Sequence, residues 1–232
     1  MPDPAVRPSF LLVHGAWHQS GCWTRLQAAL TADGFHSRTV DLPSAGPAPS
    51  AGMYDDAEEI AAHLEQTEGP VIVVAHSYGG FPATQTAARP SLAHLVYLAA
   101  YMPAEGDSVG SIHGHPAGRG HELDGIAPVS FEDPREALYG DLPGHCAEYA
   151  MSQLIGQSRR SFGEQVTRAT WRTVPSTYVL CERDQALRPA LQAEMSVRAT
   201  HVARLDAGHC PFLSAPAQLA TLLGDISRAA EA

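Results

Sequence analysis

Short apolar runs that end in turn residues, each followed by a stretch of helical spacing, recur along this chain, and that alternation leaves few folds open. Ser9-Phe-Leu-Leu-Val13 closes on His14-Gly15, Val71-Ile-Val-Val-Ala75 is β-branched and uncharged, and His94–Ala100, Ser176–Cys181 and Thr200–Leu205 repeat the type. Runs of this kind suit strands buried on both faces. A further strand is expected at Phe35–Leu42, stopped by a loop from Pro43 to Pro49 whose prolines cannot continue a ladder. Helices are expected at Trp23–Leu30, Tyr54–Gln66, Gly79–Ala88, Arg188–Val197 and Pro216–Ala230. The second of these carries Asp55, Asp56, Glu58 and Glu59 near its positive end. Strands alternating with helices imply parallel pairing and right-handed crossovers, hence an α/β protein with a doubly wound sheet.

One connection breaks the rhythm. The stretch between the strand ending near Ala100 and the one starting near Ser176 is too long for a single crossover and is richer in Gly, His and Pro. A structureless loop of that length is uncommon in a compact domain. A small, mainly helical cap is expected over residues 104–171, with residues 1–103 and 172–232 forming the core. Within the cap, Asp107–Gly125 reads as loop, while Asp133–Tyr139, His145–Leu154 and Phe162–Trp171 have helical spacing.

At 232 residues, with 44% apolar and 17% charged side chains, the chain suits one well-buried domain. A formal charge of −10 disfavours nucleic acid and anionic membrane surfaces as partners, since both demand a local excess of Lys or Arg. No run approaches the ~18 to 20 apolar residues of a spanning helix. Met1–Ser9 shows no secretory pattern, so a soluble, cytoplasmic protein is expected. Cys22, Cys146, Cys181 and Cys210 are scattered and expected as free thiols. The oligomeric state leaves no mark in the sequence.

The strongest chemical signal is Val73-Val-Ala-His-Ser-Tyr-Gly-Gly80. A serine on a sharp turn between an apolar strand and a helix is held in a strained backbone that lifts its hydroxyl into a cleft, which is why small residues flank it. Ala75 stands where the usual pattern has its first glycine, and Gly79 fits the last. A hydroxyl is a poor nucleophile at neutral pH, so Ser77 needs a base and that base needs a carboxylate. His209, in Leu205-Asp-Ala-Gly-His-Cys-Pro211, lies just past the last strand and is the expected base. Asp184 follows the strand Ser176–Cys181 and is preferred as the orienting acid over Glu182, which sits on the strand end, and over Asp206, which is better placed to brace the His209 loop. The amides of Ala16 and Tyr78 are the expected oxyanion donors. Trp17, His18, Phe81, Tyr101 and Phe212 are expected to contact substrate, with His14 and His76 close by. The histidines at 113, 115 and 121 sit among glycines and beside Pro116, which give no rigid frame for a metal, and neither a metal nor a cofactor is expected.

These stretches resemble the α/β-hydrolases, most closely the small branch of plant methylesterases and hydroxynitrile lyases. The matching residues are Phe10-Leu-Leu-Val-His-Gly-Ala16, Ala75-His-Ser-Tyr-Gly-Gly80, His94–Ala100, Cys181–Asp184 and Gly208-His209. The resemblance implies a six-stranded core sheet. Lyases of the branch place threonine where Gly15 stands and lysine where Cys210 stands, so an esterase is expected rather than a cyanohydrin lyase. A serine at position 77 also speaks against the dehalogenase and epoxide hydrolase branches, whose nucleophile is aspartate. The expected activity is hydrolysis of a small, largely apolar carboxylic ester through an acyl-enzyme. The alternatives are a cofactor-free lyase or dioxygenase using the His-Asp pair, or a non-catalytic binding protein on the same fold.

Overall fold

The computed structural model describes residues 7–115 and 123–230. His121 lies outside the described residues. Six strands form one sheet: β1 (Ser9–Val13), β2 (Ser37–Val40), β4 (Val71–His76), β5 (Leu92–Leu98), β8 (Ser176–Cys181) and β9 (His201–Leu205). Their order is β2-β1-β4-β5-β8-β9 and every neighbouring pair is parallel. The register brings Val13 beside Val40 and Ala75, His76 beside Leu98, and Cys181 beside Leu205, so the carboxyl ends of all six strands share one edge.

Alternation sorts the side chains of each strand to opposite faces. Leu11, Val13, Val73, Leu95, Tyr97 and Leu180 join one apolar cluster with residues of α2 (Met53–Glu65), α3 (Gly80–Gln85) and α8 (Pro189–Ser196). Phe10, Leu12, Ile72, Val74, Val96 and Val179 join the other with α1 (Thr24–Ala32) and α10 (Pro216–Ala230). Both faces are therefore covered, as the uncharged strands require. Among the described residues no helix is long and apolar enough to cross a membrane. The four cysteines are free thiols.

Several expected elements are redrawn. The strand in 35–42 is confined to Ser37–Val40, and the first helix starts at Thr24 after a 3₁₀ turn over Ser20–Trp23. The helix after the serine stops at Gln85, where Thr86 turns extended (ψ 130°). The loop after β2 contains β3 (Ala45–Gly46), which pairs antiparallel with β7 (Gly156–Ser158), itself paired with β6 (Ile126–Ala127). The connection between β5 and β8 thus carries short strands as well as α4 (Val109–Ile112), α5 (Pro134–Tyr139), α6 (Gly144–Ser152) and α7 (Arg159–Gly163). The helix expected at Phe162–Trp171 is absent as such. The chain leaves α7 in extended form at Glu164 and takes only a 3₁₀ turn at Thr170–Arg172. Tertiary partners explain this: the Val166 amide donates to Asp107, and the Thr167 amide donates to the Gln85 side chain.

Candidate active site

The edge where the strands end gathers the residues singled out by chemistry. Ser77 follows β4 directly and opens a 3₁₀ turn, Ser77–Gly79, with a left-handed φ of 51°. A non-glycine residue in that region is strained and persists only where its surroundings fix it. They do so here. The Tyr101 amide donates to the Ser77 carbonyl at 3.1 Å. A Cβ on Gly79 would stand 2.7 Å from the His14 carbonyl oxygen, and one on Gly80 would collide with the Tyr101 carbonyl. The turn is therefore wedged between the ends of β1 and β5, which only glycine at both positions allows.

Ser77 Oγ lies 3.1 Å from His209 Nε2, and His209 Nδ1 lies 2.8 Å from Asp184 Oδ2. His209 and Asp184 are both buried. A carboxylate only accepts, so the short contact to Asp184 puts the imidazole proton on Nδ1 and leaves Nε2 free to accept from the serine. Asp184 is fixed by its own shell: the Ala186 and Leu187 amides donate to Oδ1 at 2.8 and 2.9 Å, and Gln192 Nε2 donates to Oδ2 at 2.9 Å. The His209 loop is tethered by the Gly208 amide, which donates to Asp141 at 2.6 Å. Asp206 turns outward to an exposed pair with Arg183, and Glu182 pairs with Arg204.

His14, His18 and His76 serve as scaffold. His14 Nδ1 donates to the Gly15 carbonyl at 2.8 Å while its Nε2 accepts from the Leu42 amide at 3.0 Å. Because a trans peptide sets its N–H opposite its C=O, this bond turns the Ala16 amide away from His14. His18 Nδ1 donates to the Ala16 carbonyl and its Nε2 accepts from the Tyr139 hydroxyl, each at 2.8 Å. His76 Nε2 donates to the His209 carbonyl at 2.9 Å. Burial holds all three rings in the neutral form, pushing His18 down to about 4 and lowering His14 and His76.

A cavity of about 540 Å³ opens over Ser77 and His209, and Ala16, Trp17, His18, Tyr78 and Tyr101 also line it. Phe81 and Phe212 do not. Phe81 packs under Tyr78 and Tyr101, and Phe212 packs against Trp23 and His76. Both are fully buried on the core side of their short helices, α3 and α9 (Pro211–Ser214), so the expectation that they touch substrate is corrected. The wall instead draws on Phe131, Phe162 and Leu187, with His113 hydrogen-bonded to the Tyr101 hydroxyl at 2.7 Å. Trp17 stands edge-on to Phe131 and Phe162 at centroid distances of 6.1 and 5.6 Å. Phe131, Phe162 and His113 lie in the long β5–β8 connection, where local pattern does not fix which side chains turn inward, and Leu187 lies in the turn between β8 and α8.

The sequence profile of the Alpha/beta hydrolase family matches residues 10–222. The chain belongs to the α/β-hydrolase family. A probable hydrolase of a Phoma species, R7, is 30% identical over 241 residues, covering 96% of this chain and 99% of its own. Methyl jasmonate esterase 1 of Vitis vinifera is 26% identical over 252 residues, covering 94% and 95%. Among solved structures, the pyrethroid hydrolase PytH superposes with a TM-score of 0.76 at 26% identity, covering 96% of this chain and 98% of that one. With hydrolase and esterase relatives along nearly its whole length, this α/β-hydrolase is an ester-cleaving enzyme.

Proposed function

We propose that this α/β-hydrolase cleaves small, largely apolar carboxylic esters through an acyl-enzyme on Ser77. The observation that carries the proposal is the unbroken relay Asp184, His209, Ser77 with contacts of 2.8 and 3.1 Å. Ser77 Oγ attacks the ester carbonyl as its proton passes to His209 Nε2, and the imidazolium so formed is stabilised by Asp184. The carbonyl oxygen, now an oxyanion, accepts from the amides of Ala16 and Tyr78. Tyr78 is the second residue of a 3₁₀ turn, where an amide has no partner within the turn. His209 returns the proton to the leaving alcohol. Water then attacks the acyl-serine by the same route, releasing the acid and restoring the serine hydroxyl.

The cavity volume falls in the range of small-molecule sites, and the ring cluster of Trp17, Phe131 and Phe162 favours apolar or aromatic groups. A coenzyme A thioester would need cations for its phosphates, and no Lys or Arg lines this cavity among the described residues. Cys210, buried beside His209, offers no positive charge for a cyanide leaving group.

A serine-directed aryl phosphonate is expected to label Ser77 and abolish turnover of 4-nitrophenyl acetate, with a burst of nitrophenol in the unlabelled enzyme. Modification of a different serine, or turnover retained in Ser77→Ala, would overturn the acyl-enzyme and favour chemistry by the His-Asp pair alone.

A further inference from the structure

Asp56 is a fully buried carboxylate on α2, outside the relay, and it accepts three hydrogen bonds. The Ser44 amide donates to Oδ1 at 2.8 Å, the Ser44 hydroxyl to Oδ2 at 2.5 Å, and the Tyr78 hydroxyl to Oδ2 at 2.6 Å. Having spent its proton on Asp56, the Ser44 hydroxyl accepts from Gln157 Nε2 at 2.8 Å. Gln157 Nε2 also donates to Ser161 Oγ at 2.7 Å, and Ser161 in turn donates to the Ser158 carbonyl. With its NH₂ group directed at the two serines, Gln157 presents Oε1 to the Trp17 amide, 3.2 Å away. The directions agree along the whole chain, because the ionised carboxylate and the Ser158 carbonyl only accept and the Trp17 amide only donates.

The two ends of the network are the two residues beside which an ester oxyanion would sit. At one end is Tyr78, with its hydroxyl on Asp56 and its ring against Phe81 and Phe162. At the other is the turn of Ala16 and Trp17. Trp17 has a left-handed φ of 62° and is gripped three ways by the β5–β8 connection. Its amide donates to Gln157, its indole donates to the Ala127 carbonyl at 3.0 Å, and its carbonyl accepts from the Ile155 amide at 2.9 Å. The peptide plane after Ala16 is thereby held at both its carbonyl, by His18, and its N–H, by Gln157. The plane before it is held at its carbonyl by His14, which leaves the Ala16 N–H aimed and unengaged by these anchors.

We propose that Asp56 is a positioning residue for ester cleavage: acting through Ser44 and Gln157 on Trp17, and directly on Tyr78, it aims the Ala16 and Tyr78 amides at the oxyanion. The inference rests on the acyl-enzyme reading above. An asparagine at 56 tests it because the amide reverses the polarity of the chain. Its NH₂ donates to Ser44 Oγ, Ser44 then donates to Gln157 Oε1, and Gln157 turns its NH₂ toward the Trp17 N–H, donor against donor. Strain at Trp17 then relaxes and carries Ala16 with it. Removing one oxyanion donor outright costs about 10² to 10³ in kcat, so misaiming is expected to cost less.

In the full-length enzyme, Asp56→Asn is expected to lower kcat for 4-nitrophenyl acetate by about 10- to 100-fold with KM within about twofold, the signature of an interaction made only in the transition state. Affinity for an aryl trifluoromethyl ketone, which forms a tetrahedral oxyanion on the serine, should fall in parallel, while affinity for the matching methyl ketone holds. Gln157→Met should reproduce the effect, and the double variant should lose little more than either single one. Should Asp56→Asn fail to fold, Gln157→Met and Tyr78→Phe carry the same readouts. The proposal is overturned if the variants that fold keep wild-type kcat and ketone discrimination, whatever happens to their melting temperature, or if KM alone rises. Failure of the acyl-enzyme reading would appear separately, as an unlabelled Ser77 in the wild-type enzyme.

Discussion

At the scale of single residues, the site separates carboxylates by what surrounds them. Asp184 is buried and holds His209 at 2.8 Å, whereas Asp206, three residues from His209 in the chain, pairs in the open with Arg183. Asp184→Asn is expected to lower kcat by about 10³- to 10⁴-fold, because the amide favours the wrong imidazole tautomer. Asp206→Asn should leave kcat within about twofold, since exposed pairs contribute roughly 0 to 1 kcal/mol. Steady-state kinetics on one ester ranks the two, and the reverse order would transfer the orienting role to Asp206. The residues the structure brings into the relay were legible in sequence because each lies within four residues of a strand's carboxyl end, where local pattern narrows position. Asp56 was not. It shares a helix start with Asp55, Glu58 and Glu59, and nothing in that run distinguishes the carboxylate that turns inward to Ser44 and Tyr78 from those that complement the helix dipole. Phe81 and Phe212 failed for a related reason, since proximity in sequence to the serine or the histidine does not say which face of a short helix a ring occupies.

Among the elements, the strands were the most legible and the β5–β8 connection the least. Parallel strands covered on both faces leave continuous apolar runs, which is a strong local signature. The short pairings of Ala45 and Gly46 with Gln157 and Gly156 leave none, because two-residue ladders are set by tertiary fit. Helical spacing over Phe162–Trp171 gave way to long-range bonds from Val166 and Thr167, a tertiary override of local preference. The wedge of α3 against the end of β5 is a property of two elements meeting. A methyl group on Gly80 drives into the Tyr101 backbone, which cannot step aside as a flexible side chain can. Gly80→Ala is expected to cost about 3 kcal/mol or more, in the range of overpacking within a tight core, and to lower activity with stability. Gly21→Ala, with open space around its Cβ position, is the control. Urea midpoints of the two variants measure the difference, and equal midpoints would mean that the elbow is less tightly wedged than its geometry implies.

The whole molecule stores a conflict between buried titratable groups. In the unfolded chain a histidine takes up its proton near pH 6.5, yet burial lowers His14 and His76 and pushes His18 down to about 4. As the pH falls below 6.5 the unfolded state therefore binds protons that the folded state refuses. Stability drops by about 1.4 kcal/mol per pH unit for each ring lying between its two values. Asp56 acts in the opposite sense. Burial lifts its carboxyl to about 6, so between pH 6 and its ordinary value of about 4 the folded state is the one that gains the proton, and stability rises. Burial also pushes His94 down to about 4 and lowers His113, so five rings oppose one carboxyl. The urea midpoint is expected to fall between pH 7 and pH 4.5, and more steeply in Asp56→Asn, where the compensating carboxyl is gone. A flat profile in the wild-type protein would show that the rings can be protonated in place. The span of the relay has a kinetic meaning of its own. Ser77 meets a residue 132 positions away, and that residue meets Asp184 only after β8 and β9 have paired. On the acyl-enzyme mechanism proposed above, the elbow serine of an emerging nascent chain is made early but gains its base only when residue 209 has been synthesised and β9 has closed on β8. The growing polypeptide therefore carries an inert hydroxyl, and ester cleavage begins only when the sheet is complete, so the first turnover reports the end of folding.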